Sequence, residues 1–270
     1  MQVYEGTLRR RVDAGDVLVM GMVHESRSPV VVEMFHETGY DVMVIDREHT
    51  CLTEETIAEQ LRLSRALGLP CMVRVVEDCY HELNRTLDQA PDGIFIPRLR
   101  SREQGERIMD LVHYPPLGHR GLAGSTCPTG RYVGWPSLPE QVETINRQLV
   151  VGIQIETAEA LADLDGILSV PGVDIAVVGN DDLSISMGIH GQFTSPEYLA
   201  AVESVIAACR RHGVLPGIAA GGANALYWLG RGMRAFWYAS DLVMMWQGCQ
   251  QAMDQFRAGQ SAAEKGTHDA

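Results

Sequence analysis

The sequence predicts a single-domain α/β protein with a (β/α)8 TIM barrel fold, and three observations support this. Eight short apolar runs alternate with longer amphipathic segments, as expected for a parallel sheet that helices cover on both sides. The chain has 270 residues, close to the roughly 250 that are typical of such barrels. No low-complexity linker divides it, so residues 1–258 are assigned to the barrel and residues 259–270 to a disordered tail. A doubly wound open sheet is the alternative fold that the same alternation allows.

The eight predicted strands are short runs rich in Val, Ile, Leu and Met, the composition of strands buried on both faces. In chain order they are residues 17–24, 41–46, 71–75, 93–98, 149–156, 173–179, 214–220 and 235–240. One predicted helix between them covers residues 53–68, with Thr53 as its N-terminal cap and Gly68 at its end. Residues 101–114 and 195–213 show the same helical spacing of apolar side chains.

The charge balance and the cysteines argue against several classes of protein. With 22 basic and 35 acidic residues, the chain has a net charge of −13, which disfavours nucleic acid or an anionic membrane as a partner. The N-terminus lacks the apolar core of a signal peptide, and no run approaches the roughly 18 apolar residues of a membrane span. The six cysteines form no CxxC pair, which predicts reduced thiols in a cytoplasmic protein.

Ionisable and amide side chains concentrate at the carboxyl-terminal ends of the predicted strands. In a (β/α)8 barrel these ends meet on the face where active sites form. The residues are His24 and Glu25 after the first strand, Asp46, Arg47, Glu48 and His49 after the second, Arg74 and Arg98 at the third and fourth, Gln154 and Glu156 at the fifth, and Asp181 and Asp182 at the sixth. Because surface charge would not sort to one end of the strands in this way, the sequence predicts an active site there.

Several of these residues suggest specific chemistry. Glu156 and Asp182 form a pair of oxygen donors suited to Mg²⁺ or Mn²⁺, although each could instead cap the following helix. Arg74 lies inside an apolar strand and needs an anionic or carbonyl partner, either a substrate or a structural ion pair. His49 is placed as a general base, or else is a surface histidine. The only lysine, Lys265, lies in the tail, which excludes a Schiff-base mechanism.

Five segments carry a family resemblance. They are DVMVIDREHT (41–50), CMVRV (71–75), YPPLGHRG (114–121), VGIQIETAEA (151–160) and GNDDLSISMG (179–188). In this order they resemble the signature segments of the HpcH/HpaI aldolases, the metal-dependent class II pyruvate aldolases. The resemblance implies a (β/α)8 barrel and a hexamer of dimers that exchange the last helix. It also implies a divalent metal (Mg²⁺, Mn²⁺ or Co²⁺) and a carbon–carbon lyase that reversibly cleaves a 4-hydroxy-2-oxo acid to pyruvate, or a related 2-oxo acid, and an aldehyde.

The resemblance assigns the catalytic roles residue by residue. His49 corresponds to the general base of a D-x-E-H motif, in which Asp46 and Glu48 are the carboxylates. Arg74 corresponds to the arginine that stabilises the enolate oxygen. Asp88 matches the aspartate that raises the basicity of the histidine.

The resemblance also implies the substrate and metal contacts. Gln154 corresponds to a glutamine that contacts the substrate, and Glu156 and Asp182 match the two metal ligands. The backbone from Gly179 through Asp181 to Asp182 matches the amides that receive the pyruvate carboxylate at the start of a helix.

Three positions depart from the pattern of the family. Arg47 stands where a small residue is usual, Asp181 replaces a small neutral residue, and His24 occupies a strand end that is usually apolar or small. They leave the pyruvate half of the site unchanged and alter the charge around the second substrate. We therefore expect these residues to contact the substrate, and an anionic or strongly polar group on the aldehyde.

The loop from residue 114 to residue 140 is long and rich in Gly and Pro, and it is predicted to be a lid. Related metal–enolate chemistry, in a decarboxylase or a citramalyl-CoA-type lyase, is an alternative function. The second of these would need basic residues for CoA phosphates, for which Arg98, Arg120 and Arg131 are the candidates. A non-catalytic binding barrel is a further alternative, but none of the positions assigned by the resemblance is altered.

The last apolar segment predicts an oligomer. Residues 241–256 carry Met244, Met245, Trp246, Met253 and Phe256, more apolar surface than a peripheral barrel helix needs. We expect this segment to pack on another subunit of a homo-oligomer, a hexamer.

Overall fold

The computed structural model describes residues 6–129 and 134–266 as one closed barrel of eight parallel strands in chain order. The strands are β1 (Leu18–Val23), β2 (Val42–Asp46), β3 (Cys71–Arg74), β4 (Gly93–Ile96), β5 (Val150–Ile155), β6 (Ile175–Val178), β7 (Leu215–Ala219) and β8 (Ala235–Ser240). Strand β8 pairs with β1 and closes the sheet. The predicted (β/α)8 barrel is therefore confirmed, and all eight strands lie within the ranges expected from the sequence.

The helices surround the barrel in the connections between the strands. They are α1 (Thr7–Asp13), α2 (Val30–Glu37), α3 (Glu54–Leu67), α4 (Tyr80–Asp88), α5 (Arg102–Val112), α6 (Leu138–Gln148), α7 (Ala158–Ala162), α8 (Leu164–Leu168), α9 (Asn180–Ser186), α10 (Pro196–His212), α11 (Gly222–Arg231) and α12 (Asp241–Gly266). Helix α3 begins as predicted, because the Thr53 side chain accepts a hydrogen bond from the Thr56 N–H. It ends at Gly68, whose positive φ of 73° suits glycine.

Two apolar layers hold the barrel together. Side chains that point inward, such as Met20, Met72, Phe95 and Trp237, fill its interior, while others pack between the strands and the helices. The rings of Phe95 and Trp237 meet edge to face at 5.1 Å. Gly152 on β5 leaves the space that Phe95 occupies, since a Cβ there would collide with the phenyl ring. This packing gives the strand ends above it a rigid floor.

The loop of residues 114–140, which was expected to be a lid, does not lie at the carboxyl-terminal strand ends of its own barrel. It connects α5 to α6 and so precedes β5, on the side of the barrel where the strands begin. The Thr129 hydroxyl donates to the Leu87 carbonyl at 2.7 Å, and Arg120 donates to Asp88 at 3.0 Å, both in the last turn of α4. These contacts hold the described part of the loop away from the carboxyl-terminal strand ends, contrary to the predicted lid. Arg131 lies outside the described residues.

Helix α12 follows β8 and extends well beyond the barrel. It continues to Gly266, through the first part of the segment 259–270 that was predicted to be disordered, and residues 267–270 lie outside the described range. Its exposed apolar side chains include Leu242, Val243, Met245, Trp246, Met253 and Phe256. The exchange of this helix within a hexamer stays a prediction.

Two features of the described residues bear on the class of protein. No helix in residues 6–129 and 134–266 combines the length and the hydropathy needed to cross a membrane. The six cysteines are free thiols, of which Cys71 and Cys209 are buried.

Candidate active site

A buried ion pair joins the ends of β2 and β3. Asp46 and Arg74 are direct neighbours in the parallel register of the two strands. Arg74 Nε donates to Asp46 Oδ1 at 2.7 Å, and Nη2 donates to Oδ2 at 2.7 Å. Burial by itself would raise the pKa of Asp46, but the two hydrogen bonds and the charge of Arg74 outweigh it and hold the pKa below its ordinary value. Glu48 lies 3.3 Å from the same guanidinium, which also lies over the Trp237 ring at 5.2 Å.

The ion pair continues across the barrel to β5. Arg74 Nη1 donates to Gln154 Oε1 at 3.4 Å, and Gln154 Nε2 donates to Glu156 Oε2 at 2.6 Å. Gln154 and Glu156 are two residues apart along a strand, so their side chains point to the same face. A Cβ at Gly179 would lie 2.5 Å from Glu156 Oε2, so this position requires glycine. We refer to Asp46, Arg74, Gln154 and Glu156 as the central network.

Glu156 is a buried carboxylate with a strongly perturbed pKa. Burial raises its pKa to about 7, and the negative charges of Glu48 and Asp182 add to the rise, against the hydrogen bond from the Arg98 N–H at 2.6 Å. Arg98 reaches Glu156 because its φ is 55°, in the left-handed region that non-glycine residues rarely adopt. Its guanidinium lies 3.7 Å from Asp182 Oδ1.

The site has features that fit a divalent cation. Burial raises the pKa of Glu48 and of Glu156, and the negative charge of Asp182 adds to both rises, which a bound cation would relieve. Glu156 is buried, whereas the side chain of Asp182 is half exposed. The described residues contain no group of three or more His, Cys, Asp or Glu side chains arranged as metal ligands. Glu156 and Asp182 are the two residues that could hold an ion as oxygen ligands, with water and a chelating substrate in the remaining positions.

Two histidines lie at the opening of the barrel in different settings. The side chain of His49 is 63% exposed, and its Nε2 lies 3.6 Å from Glu48 Oε2. The side chain of His24 is 33% exposed, and its Nε2 lies 3.7 Å from Asp46 Oδ2. Burial lowers the pKa of His24 below its ordinary value of 6.5, although the charge of Asp46 opposes this. The His24 N–H donates to Asp241 Oδ1 at 2.9 Å, which ties this loop to the start of α12.

Arg47 does not join the central network. Its Nη1 donates to Thr86 Oγ1 at 2.6 Å and lies 3.1 Å from Glu82 Oε1, and its Nη2 pairs with Glu54. Its guanidinium is thus held by residues of α3 and α4. This placement favours a structural ion pair over the predicted contact with substrate.

Asp88 lies apart from the position that its predicted role requires in its own chain, whereas Asp181 lies at the start of a helix as predicted. Asp88 ends α4, on the side of the barrel where the strands begin, and pairs with Arg120, so it does not meet His49 in its own chain. Asp181 is exposed in the first turn of α9. Burial of Tyr198 on α10 is the main cause that raises the pKa of this tyrosine, and the negative charge of Asp181 adds to the rise. Asp181 therefore lies towards that helix.

Sequence reasoning missed the roles of three residues. Arg98 was noted as a strand-end cation, but its left-handed backbone and its contacts to Glu156 and Asp182 have no sequence signal. Trp237 lies inside an apolar strand, and nothing in the sequence around it indicates that its ring contacts the Arg74 guanidinium.

The third is Asp241, which follows β8 directly and could have been noted as a strand-end carboxylate. It accepts hydrogen bonds from the N–H groups of residues 24–26 and so positions the loop after β1.

Comparison with known proteins adds independent information. A model of the HpcH/HpaI aldolase/citrate lyase family matches residues 20–245. A 4-hydroxy-4-methyl-2-oxoglutarate aldolase from Hapsidospora irregularis is 32% identical over 221 residues, which cover 81% of each chain. A hydroxypyruvate/pyruvate aldolase from Paraburkholderia phytofirmans is 29% identical over 265 residues, 96% of this chain and 100% of that one. The crystal structure of an HpcH/HpaI aldolase from Desulfitobacterium hafniense superposes with a TM-score of 0.86 at 28% identity, covering 93% of this chain and 96% of that one.

Proposed function

Since the chain belongs to the HpcH/HpaI aldolase/citrate lyase family, whose members generally depend on a divalent metal, we propose that it is a class II pyruvate aldolase. As a carbon–carbon lyase, it reversibly cleaves a 4-hydroxy-2-oxo acid to pyruvate, or a related 2-oxo acid, and an aldehyde. The aldolase relatives support this reaction.

The central network is the observation that carries the proposal. In this network a single side chain, Gln154, is hydrogen-bonded both to the buried cation Arg74 and to Glu156, a carboxylate suited to hold a metal. When bound there, Mg²⁺, Mn²⁺ or Co²⁺ supplies Lewis-acid polarisation of the carboxylate and keto oxygens of a 2-oxo acid. Two hydrogen bonds to Asp46 fix the Arg74 guanidinium, which in this proposal stabilises the oxygen that becomes negative in the enolate.

The remaining predicted residues complete the proposal. Gln154 contacts the substrate, and the backbone from Gly179 to Asp182 receives its carboxylate. His49 moves a proton through water, in keeping with its exposure at the rim. Because Asp88 lies at the opposite end of its own barrel, it can tune a histidine only if another copy in the predicted hexamer supplies that histidine.

Enolisation of pyruvate provides the test, since it needs the metal and no aldehyde. We expect the protein with Mn²⁺ or Mg²⁺ to exchange the methyl protons of pyruvate in D₂O, measured by proton NMR, and to lose this exchange in EDTA. Glu156→Gln and Asp182→Asn should abolish both exchange and metal binding, whereas Glu159→Gln, on the exposed surface of α7, should retain them. Exchange that continued undiminished in EDTA would contradict the proposal.

The same assays separate the alternatives. Release of pyruvate from 4-hydroxy-2-oxo acids such as 4-hydroxy-2-oxoheptanedioate, followed with lactate dehydrogenase, is expected of an aldolase. Decarboxylation of oxaloacetate without any such cleavage would indicate a decarboxylase. A CoA-linked lyase lacks support, because Arg98 faces Asp182 and Arg120 is fully buried beside Asp88.

A further inference from the structure

We propose that Arg98 is a counter-ion of Asp182 that competes with a divalent metal for this carboxylate and so sets the metal affinity of the site. This inference rests on the proposed function, since it takes Glu156 and Asp182 as the metal ligands. It gives a role to a side chain to which the family resemblance assigns none.

Arg98 contacts both of the proposed ligands. Its backbone N–H donates to Glu156 Oε1 at 2.6 Å, and its Nη1 lies 3.7 Å from Asp182 Oδ1. Gln154 donates to the other oxygen of Glu156, so this carboxylate is held by one donor at each oxygen. Each oxygen has a further lone pair with which it can bind a cation. The backbone of Arg98 therefore positions Glu156, while its guanidinium balances the charge of Asp182.

The side chain of Arg98 is not needed for the contact with Glu156. The φ of Arg98 is 55°, a region in which a residue with a Cβ is strained and glycine is not. Glycine could therefore donate the same backbone hydrogen bond without strain. An arginine in such a conformation next to a candidate site points to a separate role for its side chain.

The ion pair between Arg98 and Asp182 is of a kind that can be exchanged. The two side chains are 52% and 48% exposed, and their separation of 3.7 Å exceeds that of a hydrogen bond. Exposed pairs of this type contribute little to stability and are screened by salt. Arg74, by contrast, is buried and donates two hydrogen bonds of 2.7 Å to Asp46. Arg74 is therefore a fixed cation, whereas Arg98 can leave its partner.

A divalent ion and this guanidinium would compete for Asp182. Two cations at one carboxylate repel each other, because they lie within the Debye length of about 8 Å. Asp182 and Glu48 both act electrostatically on Glu156, so the site concentrates negative charge. Such a site attracts a divalent ion more strongly than the single charge of a guanidinium. We therefore expect the metal to displace Arg98 from Asp182, with an affinity that is lowered by the loss of the ion pair.

Mn²⁺ binding in the absence of substrate is the direct test, measured by isothermal titration calorimetry at low ionic strength. Arg98→Gln removes the charge, and Arg98→Lys keeps it. Arg100→Gln removes an exposed arginine two positions further along the chain and is the matched control for net charge. We expect Arg98→Gln to bind Mn²⁺ about three- to fivefold more tightly than wild type, the ratio that corresponds to an exposed ion pair. Arg98→Lys and Arg100→Gln should stay within about twofold of wild type.

Salt and thermal unfolding give two further readouts that a merely structural role would not move. Because ions screen an exposed pair, the difference in affinity between Arg98→Gln and wild type should shrink as ionic strength rises. At one Mn²⁺ concentration, the ion should raise the Tm of Arg98→Gln more than that of wild type, because tighter binding to the folded state stabilises it more. Arg98→Gly is a second variant that removes the charge, and it also suits the positive φ.

Three outcomes would overturn the inference. The first is a Mn²⁺ affinity in Arg98→Gln and Arg98→Gly that is equal to or lower than that of wild type. The second is an equal gain in Arg100→Gln, which would reflect net charge alone. The third is an equal gain in Arg98→Lys, which would show that charge is not the cause.

Failure of the proposed function would look different. If wild type bound no Mn²⁺, or if Glu156→Gln and Asp182→Asn bound it as tightly as wild type, the metal site itself would be wrong and this inference with it. Binding that depends on Glu156 and Asp182 but not on the charge of Arg98 would refute only the role of Arg98.

Discussion

For Arg47, the sequence and the structure lead to different predictions. Its departure from the family pattern in the first signature segment suggested a contact with an anionic group of the substrate. The structure instead surrounds its guanidinium with Thr86, Glu82 and Glu54. We expect Arg47→Met, which keeps the apolar stem and removes the charge, to reduce stability and to leave catalysis nearly unchanged.

The contacts give the expected magnitude. The Glu54 side chain is 39% exposed and regains water, so the loss of that pair costs under about 1 kcal/mol. The Glu82 side chain is only 16% exposed and Thr86 is buried, so their lost hydrogen bonds cost about 1–2 kcal/mol together. The free energy of unfolding should therefore fall by about 2 kcal/mol, or ~4–8 °C in Tm for a chain of this length.

Thermal unfolding and steady-state kinetics test this prediction together. Tm is measured at one fixed protein concentration, because an oligomer melts in a concentration-dependent way. Arg62→Met, which removes an exposed arginine from α3, is the matched control and should change Tm by less than ~1 °C. If Arg47→Met kept the wild-type Tm but lowered kcat/KM for cleavage by more than about tenfold, the ion-pair interpretation would be wrong and the substrate contact correct.

Three further predictions concern catalysis, pH and assembly. Arg74→Ala should lower the rate of pyruvate proton exchange by a factor of about 10²–10³, the usual effect of losing an oxyanion donor, while Mn²⁺ affinity measured by calorimetry stays unchanged. Asp46 has a lowered pKa in the folded protein, so it stabilises the fold above its ordinary pKa of 3.8, and this stability is lost as pH falls through the lower folded value. Asp46→Asn should therefore destabilise the protein by about 3–5 kcal/mol at neutral pH, because Arg74 loses its buried partner, and denaturant titrations should show a smaller difference in acid. If the exposed apolar face of α12 is an interface, Trp246→Glu with Phe256→Glu should lower the mass in light scattering, and a wild-type monomer at micromolar concentration would contradict this.

Much of the fold followed from the sequence because its signals are local. A strand buried on both faces must be apolar along its length, so runs such as residues 41–46 and 149–156 were visible without any structure. The caps at Thr53 and Gly68 marked the ends of α3 for the same reason, since a cap depends only on adjacent residues. The loop at residues 114–140 misled the prediction, because its Gly and Pro content marks a loop but not the face of the barrel on which it lies.

The sequence by itself determined which residue types stand at the strand ends, because chain order and parallel pairing bring those ends to one face. It thereby predicted that Arg74, Gln154 and Glu156 share a site. Only the tertiary structure decided their partners: Asp46 binds Arg74 through strand register, Arg98 reaches Glu156 through an unusual φ, and Arg47 turns towards neighbouring helices. Side-chain direction and long-range pairing depend on residues far apart in the chain, and sequence spacing carries no record of them.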